Sequence, residues 1–498
     1  MNARADSGAT DRNVAIVGAG PSGLSAALEL ARAGQQPLVL ERTDRVGGLM
    51  RSIGWGDTVV DIGRKELYTR IPEVDDLWRT LLGGDSRPYP HRVGSLYKGH
   101  VVELSGAFRG MLRGVPPRLL ARGVVSLAAG RLRRLGGAPS SYEAYWHGRV
   151  GEQFARLFAQ GYWEKFRGVR WADMPPPRPG AAAESGSGGT FSQRAVAHAL
   201  RPFRAGVPAV AAQGWRHPRL GTGQLFDRFH HVASQAGAEF RFSVSVDRIA
   251  RRADGAWSLG LSSEEGRQTL TVRHLVSSLT IEALSSLLEG PSGPLLRRRA
   301  TCPERPGRER RHVLLVYLRL ARPPRFPHAW LEVNDPALLC GRVTNFAAFG
   351  GEMVPAGRGC VCVEFFCTDG EALLEACDDA LVARAIAECG GARLLDSSGV
   401  EDAFVLRLAR TNAASSWREL QGEERRALLS GLPALGTLYH VNRPGSDWAS
   451  FAGLLAARAI LAGSRDEFDR RADPLSRLPE RAAAQTASPP RPGLAATG

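Results

Sequence analysis

A chain of 498 residues, 43% apolar and with 57 glycines and 31 prolines, has material for two or three globular domains and excludes a fibrous protein. The formal charge of +15 comes from arginines scattered along the chain, with no basic tail and no aromatic–basic alternation, so it points to anionic ligands and not to nucleic acid. No apolar run is long enough to span a bilayer and the opening "MNARADSGATDRN" is polar, so a cytoplasmic protein is expected; seven cysteines without a CxxC pair point to reduced, buried thiols over disulfides or a metal site.

Residues 1–11 are expected to be disordered. "NVAIV" then reads as a buried strand, "GAGPSG" as a glycine-rich turn, "LSAALELARAG" as a helix closed by Gly34, and "PLVLE" as a parallel strand ending at Glu41. This is the opening unit of a doubly wound α/β sheet. Gly18, Gly20 and Gly23 have the GxGxxG spacing: a tight turn, a backbone that can approach a pyrophosphate, and close helix packing, with Pro21 and Ser22 starting the helix that faces the negative charge. Glu41 is placed to accept hydrogen bonds from ribose hydroxyls, which argues against a 2′-phosphate.

"DIGRKELYTR" follows, and its Lys65 is one of three lysines in a chain with 65 basic residues. A lysine can lose its proton when buried, as an arginine in practice cannot, so its retention here marks Lys65 as a candidate functional group. The basic stretch 107–137 is amphipathic, but Gly110, Gly114, Pro116 and Pro117 interrupt it, which favours an ordinary domain cap over membrane contact. From Ser141 to Arg170 an aromatic helical stretch departs from the α/β rhythm; most of its aromatics belong to a core, with Tyr162 and Trp163 facing a pocket. After a loop at 174–190, "GTGQLFDRFHHVASQAG" is a helix, and "AEFRFSVSVDRIARR" and "HLVSSLT" are strands. "HVLLVYLRL" and "GCVCVEFFC" alternate as strands of a mainly antiparallel sheet, with Cys360 and Cys362 on one face. "GTLYHVNRPGSDWASFAGLLAARAILAG" returns to strand, loop and helix. The expected architecture is α/β: a discontinuous Rossmann-like domain (12–95, 215–285 and 405–472), a mixed α+β substrate domain of antiparallel sheet plus helices (96–214 and 286–404), and a disordered tail, 473–498.

"ERTDRVGGLMRS" carries a second glycine pair, Gly47 and Gly48. With the first motif it resembles the extended flavin fingerprint of the FAD-dependent amine oxidase superfamily. The resemblance implies FAD as cofactor, with Glu41 on the adenosine ribose and Arg42, Arg45, Gly47, Gly48 and Leu49 along the pyrophosphate and flavin. "GAEFRFSVSVDRI" resembles the strand whose backbone, at Val246, clasps the adenine. "LYHVNRPGSDWAS" resembles the C-terminal flavin motif, which implies that Arg443, Asp447, Trp448 and Ala449 approach the flavin; Asn442 stands where the family has a glycine. "DIGRKELYTRIPEVDDLW", "YWEKFRG" and "CGRVTNFAAFGGEMVP" are similar to the protoporphyrinogen oxidase-like and UDP-galactopyranose mutase-like branch, with Arg64 and Lys65 in place of its glycine and histidine.

The resemblance implies a catalytic role for Lys65 and Arg64, because that branch sets a histidine over the flavin at this point; a structural pairing of Lys65 with Glu66 or another carboxylate is the competing reading. Tyr68, Tyr162, Trp163, Lys165 and Arg342 are the substrate-side candidates. The implied activity is oxidation of a small organic biosynthetic intermediate by hydride transfer to FAD, with dioxygen reoxidising the flavin. Two alternatives accompany it: a redox-neutral isomerase or cyclase, and a carrier of the Rab GDP dissociation inhibitor type, against which the intact glycine motifs argue.

Overall fold

The structure, a computed structural model, describes residues 10–104, 114–134, 137–177, 216–290, 311–350, 352–408 and 435–472. Two seven-stranded sheets organise it. The first runs in the order Ser245–Arg251, Trp257–Ser263, Gly266–Ser277, Thr10–Val17, Leu38–Leu40 and Glu239–Arg241, with Leu438–His440 beside the end of Gly266–Ser277. Its centre is parallel, as crossover helices require. Strand Thr10–Val17 begins inside the segment 1–11 expected to be disordered, because pairing with Gly266–Ser277 extends back to Thr10 opposite Leu270. The rest of that segment, 1–9, and the tail 473–498 lie outside the described residues.

Period-two alternation decides which side chains enter which layer. Val14 and Ile16 point into a core with Leu24, Leu28, Phe226 and Phe451, contributed by helices Pro21–Arg32, Gly223–Gln235 and Ser446–Ala462. Ala15 and Val17 point the other way, to Leu259, Leu275 and Leu284. Helices Pro21–Arg32 and Ser446–Ala462 cross closely because a Cβ at Gly453 would stand 2.1 Å from the Ser22 carbonyl oxygen.

The second sheet has the order Val400–Leu408, Arg311–Leu320, Gly359–Thr368, Arg342–Asn345, Trp330–Val333, Val93–Tyr97 and His100–Glu103, antiparallel except between Trp330–Val333 and Val93–Tyr97. Val361, Val363 and Phe365 pack with helix Asp378–Gly391 on one face. Cys360 and Cys362 share the other, with Tyr317, Val60, Ile62 and the aromatic helices. Two of these strands straddle boundaries drawn from sequence, 95/96 and 404/405, since the apolar pattern of each continues the sheet. Among the described residues no helix is long and apolar enough to cross a membrane.

Candidate functional site

The glycine-rich turn has three distinct constraints. Gly18 has φ 95°, and a Cβ there would meet Ser278 Oγ at 2.1 Å. A Cβ at Gly23 would lie 1.9 Å from the Gly18 carbonyl oxygen, so turn and helix touch. At Gly20 a Cβ would meet no atom within 4 Å. Gly20 is also the N-cap of a helix that starts with Pro21, has no side-chain cap and carries no acidic residue in its first turn. Its leading N–H groups therefore have no side-chain cap and stand next to a residue without a side chain, which suits a pyrophosphate. Gly47 and Gly48, at φ 95° and 54°, close on this turn: the Gly47 N–H donates to the Ala19 carbonyl (2.8 Å), and a Cβ at Gly48 would stand 3.5 Å from Gly20 Cα.

Glu41 is buried and fixed from both ends. Oε2 accepts from the Ala19 N–H (2.8 Å), and Oε1 from the N–H and hydroxyl of Thr43 (2.9 and 2.8 Å). A carboxylate has about four lone-pair directions, so with three taken one remains, on Oε2, for a ribose hydroxyl. The Ser243 and Val244 N–H groups donate to the Thr43 and Glu41 carbonyls (3.0 Å each), which draws in the edge strand with half-buried Val246 at its bulge. Arg42, Arg45 and Leu49 are exposed on the rim, with Arg45 paired to Asp44 (3.1 Å). At the C-terminal motif Asn442 donates to the Ser278 carbonyl (2.9 Å), while Arg443 is buried and donates to the Ala472 carbonyl (2.7 Å), fastening helix Asp466–Arg471. Asp447 lies in the first turn of Ser446–Ala462, followed by buried Trp448 and Ala449. An acid there suits this helix end to hydroxyl donors, whereas the first helix suits phosphate. Together these residues fit a bound dinucleotide.

A chain of hydrogen bonds leads from the segment after the Gly47–Gly48 turn to the turn that carries Lys65. Ser52 Oγ donates to Asp61 Oδ1 (2.6 Å), the Thr222 N–H donates to the same oxygen (2.9 Å), and Thr222 Oγ1 donates to the Met50 carbonyl (3.0 Å). Tyr317, from the second sheet, donates to the Asp61 carbonyl (2.8 Å) and accepts from the Gly63 N–H (2.9 Å). The turn 62–65 thus leaves the small hairpin of Ser52–Trp55 and Thr58–Asp61 and lies against the second sheet. Lys65 is half-buried and its ammonium donates to the Ile62 carbonyl. Glu66, the neighbour expected to compete for it, binds Arg64 and His91 (2.6 Å) instead and accepts from the Tyr89 hydroxyl (3.3 Å). Burial opposes the Glu66 charge, but Arg64 and His91 outweigh it and hold its pKa at about 2. Burial pulls the Lys65 pKa below the ordinary lysine range, against the pull of Glu364 and then Asp61.

The second sheet supplies a charged wall. Glu332, Arg342 and Glu364 stand opposite one another on three adjacent strands, all buried. Arg342 donates to Glu364 Oε2 (2.7 Å) and, through its other terminal nitrogen, to the Tyr162 hydroxyl. Burial works against the Arg342 charge, yet Glu364 and Tyr162 raise its pKa. Tyr162 follows a π turn, Arg156–Gln160, and its N–H donates to Asn334 Oδ1 (3.0 Å); burial pushes its hydroxyl up to about 12.

Not all substrate-side candidates converge here. Lys165 donates to the carbonyls of Val333, Asp335 and Cys340 (3.1, 2.8 and 3.1 Å), so it anchors helix Gly161–Arg167 to the sheet. Trp163 is buried beneath the Arg167 guanidinium (5.0 Å), and Tyr68 accepts from Arg70 (2.8 Å). Arg64 pairs with Glu66 and lies 4.3 Å over the Trp330 ring. Sequence reasoning missed Glu332, Glu364, Asp61 and Tyr317. The signal for two of them was present: Glu364 is the one charged residue of "GCVCVEFFC" and Glu332 of "WLEV", and a carboxylate in an apolar strand requires a partner.

A family model described as flavin containing amine oxidoreductase matches residues 21–303. The glutamate synthase [NADPH] small chain of Mycobacterium tuberculosis is 57% identical over 65 residues, 13% of each chain. An L-amino-acid oxidase of Sistrurus catenatus edwardsii is 49% identical over 59 residues, 12% of this chain and 11% of that one. The chain therefore matches only a small part of these relatives' length. Over the whole fold it is similar to reduced UDP-galactopyranose mutase, with a TM-score of 0.68, 17% identity, and coverage of 93% of this chain and 98% of that chain.

Proposed function

Since the chain belongs to the flavin-containing amine oxidoreductase family, with FAD as its cofactor, we propose that it dehydrogenates a small organic substrate and that dioxygen is the final electron acceptor. FAD, when bound, supplies acceptance of a hydride. The rest is the work of this chain. Gly18, Gly20, Gly23, Gly47 and Gly48 would hold the pyrophosphate side and Glu41 the ribose, while Tyr162, Arg342 and Glu364 bound the substrate side. The substrate loses a hydride and a proton, and two electrons and two protons reach dioxygen as hydrogen peroxide.

The observation that carries this reading is the Lys65 ammonium, half-buried on the turn that follows Asp61 and is bonded to the second sheet, with the Asp61 carboxylate accepting from Ser52. A cation there favours negative charge developing nearby, and its lowered pKa makes the neutral amine, a base, easier to reach than in an ordinary lysine. The match to an L-amino-acid oxidase agrees with an oxidative reaction. The test is anaerobic mixing with candidate amines, amino acids and alcohols, followed by air. A true substrate bleaches the oxidised-flavin absorbance, and turnover in air consumes oxygen and releases equimolar peroxide. Turnover that appears only after dithionite reduction, without oxygen uptake, would replace this reading with the redox-neutral isomerase or cyclase.

A further inference from the structure

We propose that Glu364 is the positioning residue for Lys65, a buried carboxylate on the facing sheet that pins the turn bearing the lysine and supplies its principal counter-charge. The inference rests on the reading of Lys65 as the functional cation. Glu364 does more than neutralise Arg342. Its Oε2 accepts from Arg342 (2.7 Å), but its Oε1 points to the other layer, where it accepts from the Arg64 N–H (3.0 Å) as well as from Thr344 Oγ1 (3.3 Å). One carboxylate thus joins two strands of the second sheet to the residue preceding Lys65. The approach is close. A Cβ at Gly63, which has φ 64°, would stand 3.3 Å from Glu364 Oε1 and 3.2 Å from Leu315 Cδ2, so only glycine lets the turn settle on the sheet at this point. The Arg64 guanidinium is turned away to Glu66 and the Trp330 ring, which leaves the backbone N–H for Glu364.

The charges that face Lys65 come from every element packed on it. Burial pulls its pKa down most; Glu364 and then Asp61 push it back up, and Arg342 and Arg64 add to the fall. Cys362 and Tyr317 complete the surround, each with its own pKa raised by burial and so neutral near pH 7. Glu364 is the largest of the opposing charges, and it is held where it is by Arg342 and Thr344.

Having three lysines makes the test direct, because Lys65 can be followed by mass spectrometry during trace acetylation across pH, with exposed Lys98 as internal reference. This readout needs no substrate. In the FAD-loaded protein, Glu364→Gln should move the Lys65 labelling midpoint down by about one pH unit, roughly tenfold in labelling rate below the midpoint, with Lys98 unchanged. Glu364→Asp keeps the charge but retracts it, and should move the midpoint the same way by less; it serves if the glutamine variant does not fold. Glu364→Gln should also shift the pH dependence of flavin reduction in an otherwise wild-type chain by the same amount and in the same direction as the labelling midpoint, and the part of its rate effect that runs through Lys65 should be missing in a Lys65→Met background. A Lys65 midpoint equal to wild type in the folded variants, or a rate loss that persists in full without Lys65, overturns the proposal. If the midpoint moves and no substrate is ever oxidised, the positioning stands and the oxidase reading falls. If oxidation is found and the midpoint stays, the reverse holds.

Discussion

At the scale of the residue, Lys65 is where the chemistry of one side chain has two separable consequences. Its ammonium can act as a charge, or its amine as a base, and the lowered pKa brings the second role nearer to physiological pH. Lys65→Met removes both. It should lower the reduction potential of bound FAD by about 30 mV or more, since 30 mV corresponds to about 1.4 kcal/mol for two electrons, and it should slow anaerobic flavin reduction. Lys65→Arg keeps the charge and should retain most of the potential while abolishing any step that needs a neutral amine. The pH profile separates the roles by sign. If Lys65 acts as a base, reduction accelerates as pH rises through its pKa; if it acts as a charge, reduction slows over the same range, and the limb vanishes in Lys65→Met either way. Potentials and rates unchanged in both variants would reduce Lys65 to a structural residue.

At the scale of the element, the glycines of the first helix and its partner make opposite demands that substitution can expose. Gly20 has φ −82° and open space around an added Cβ, so Gly20→Leu should leave folding of the apoprotein within about 0.5 kcal/mol of wild type while blocking FAD, which gives a folded, colourless protein. Gly453→Ala should do the reverse. Its methyl would stand 2.1 Å from the Ser22 carbonyl oxygen, so the two helices must part, at about 1–3 kcal/mol, and chemical denaturation should show the loss. A destabilised Gly20→Leu would mean that the space beside the turn is tighter than the structure shows, and a fully stable Gly453→Ala that the helix crossing is looser. These local features were legible in the sequence, because a strand, a GxGxxG turn and an Ala/Leu helix are contiguous and each is decided by near neighbours. The charged wall of the second sheet was not. Lys65 and Lys165 both fall at motif positions, and nothing local separates them; three carbonyls from residues 333–340 take up Lys165, while the turn that carries Lys65 is held, through the Arg64 N–H, by a carboxylate three hundred positions away. Arg342 read as a ligand clamp for the same reason. Its partners, Glu364 and Tyr162, become visible only when strand register and a π turn bring them together.

At the scale of the whole molecule, buried titratable groups beside the C-terminal motif and beside the second sheet should make the protein acid-sensitive well before general acid denaturation. His440 ends strand Leu438–His440, is 2% exposed, and has its Nε2 3.0 Å from the Leu279 carbonyl. Burial first, and the neighbouring Arg443 second, lower its pKa from 6.5 to about 3. The folded protein therefore keeps His440 neutral where the unfolded chain takes up a proton, so the stability it contributes is complete above pH 6.5 and is lost as pH falls toward about 3. The slope is about 1.4 kcal/mol per pH unit, which amounts to about 2 kcal/mol by pH ~5. Glu66 adds a second window lower down. Its folded pKa of about 2 against 4.5 means that its contribution is present above 4.5 and disappears between that pH and about 2. The two windows can be told apart, because at pH ~5 the histidine is almost fully protonated in the unfolded state while Glu66 has lost only about 0.2 kcal/mol of its contribution. Urea denaturation with free FAD in excess, at about pH 7.5 and about pH 5, should show wild type losing more stability over that interval than His440→Gln does, by about 2 kcal/mol, although the variant starts lower for want of its packing. Equal losses in the two proteins would show that His440 accepts a proton within the fold, and that the strand end beside the Asn442–Arg443 motif is more open to water than its burial requires.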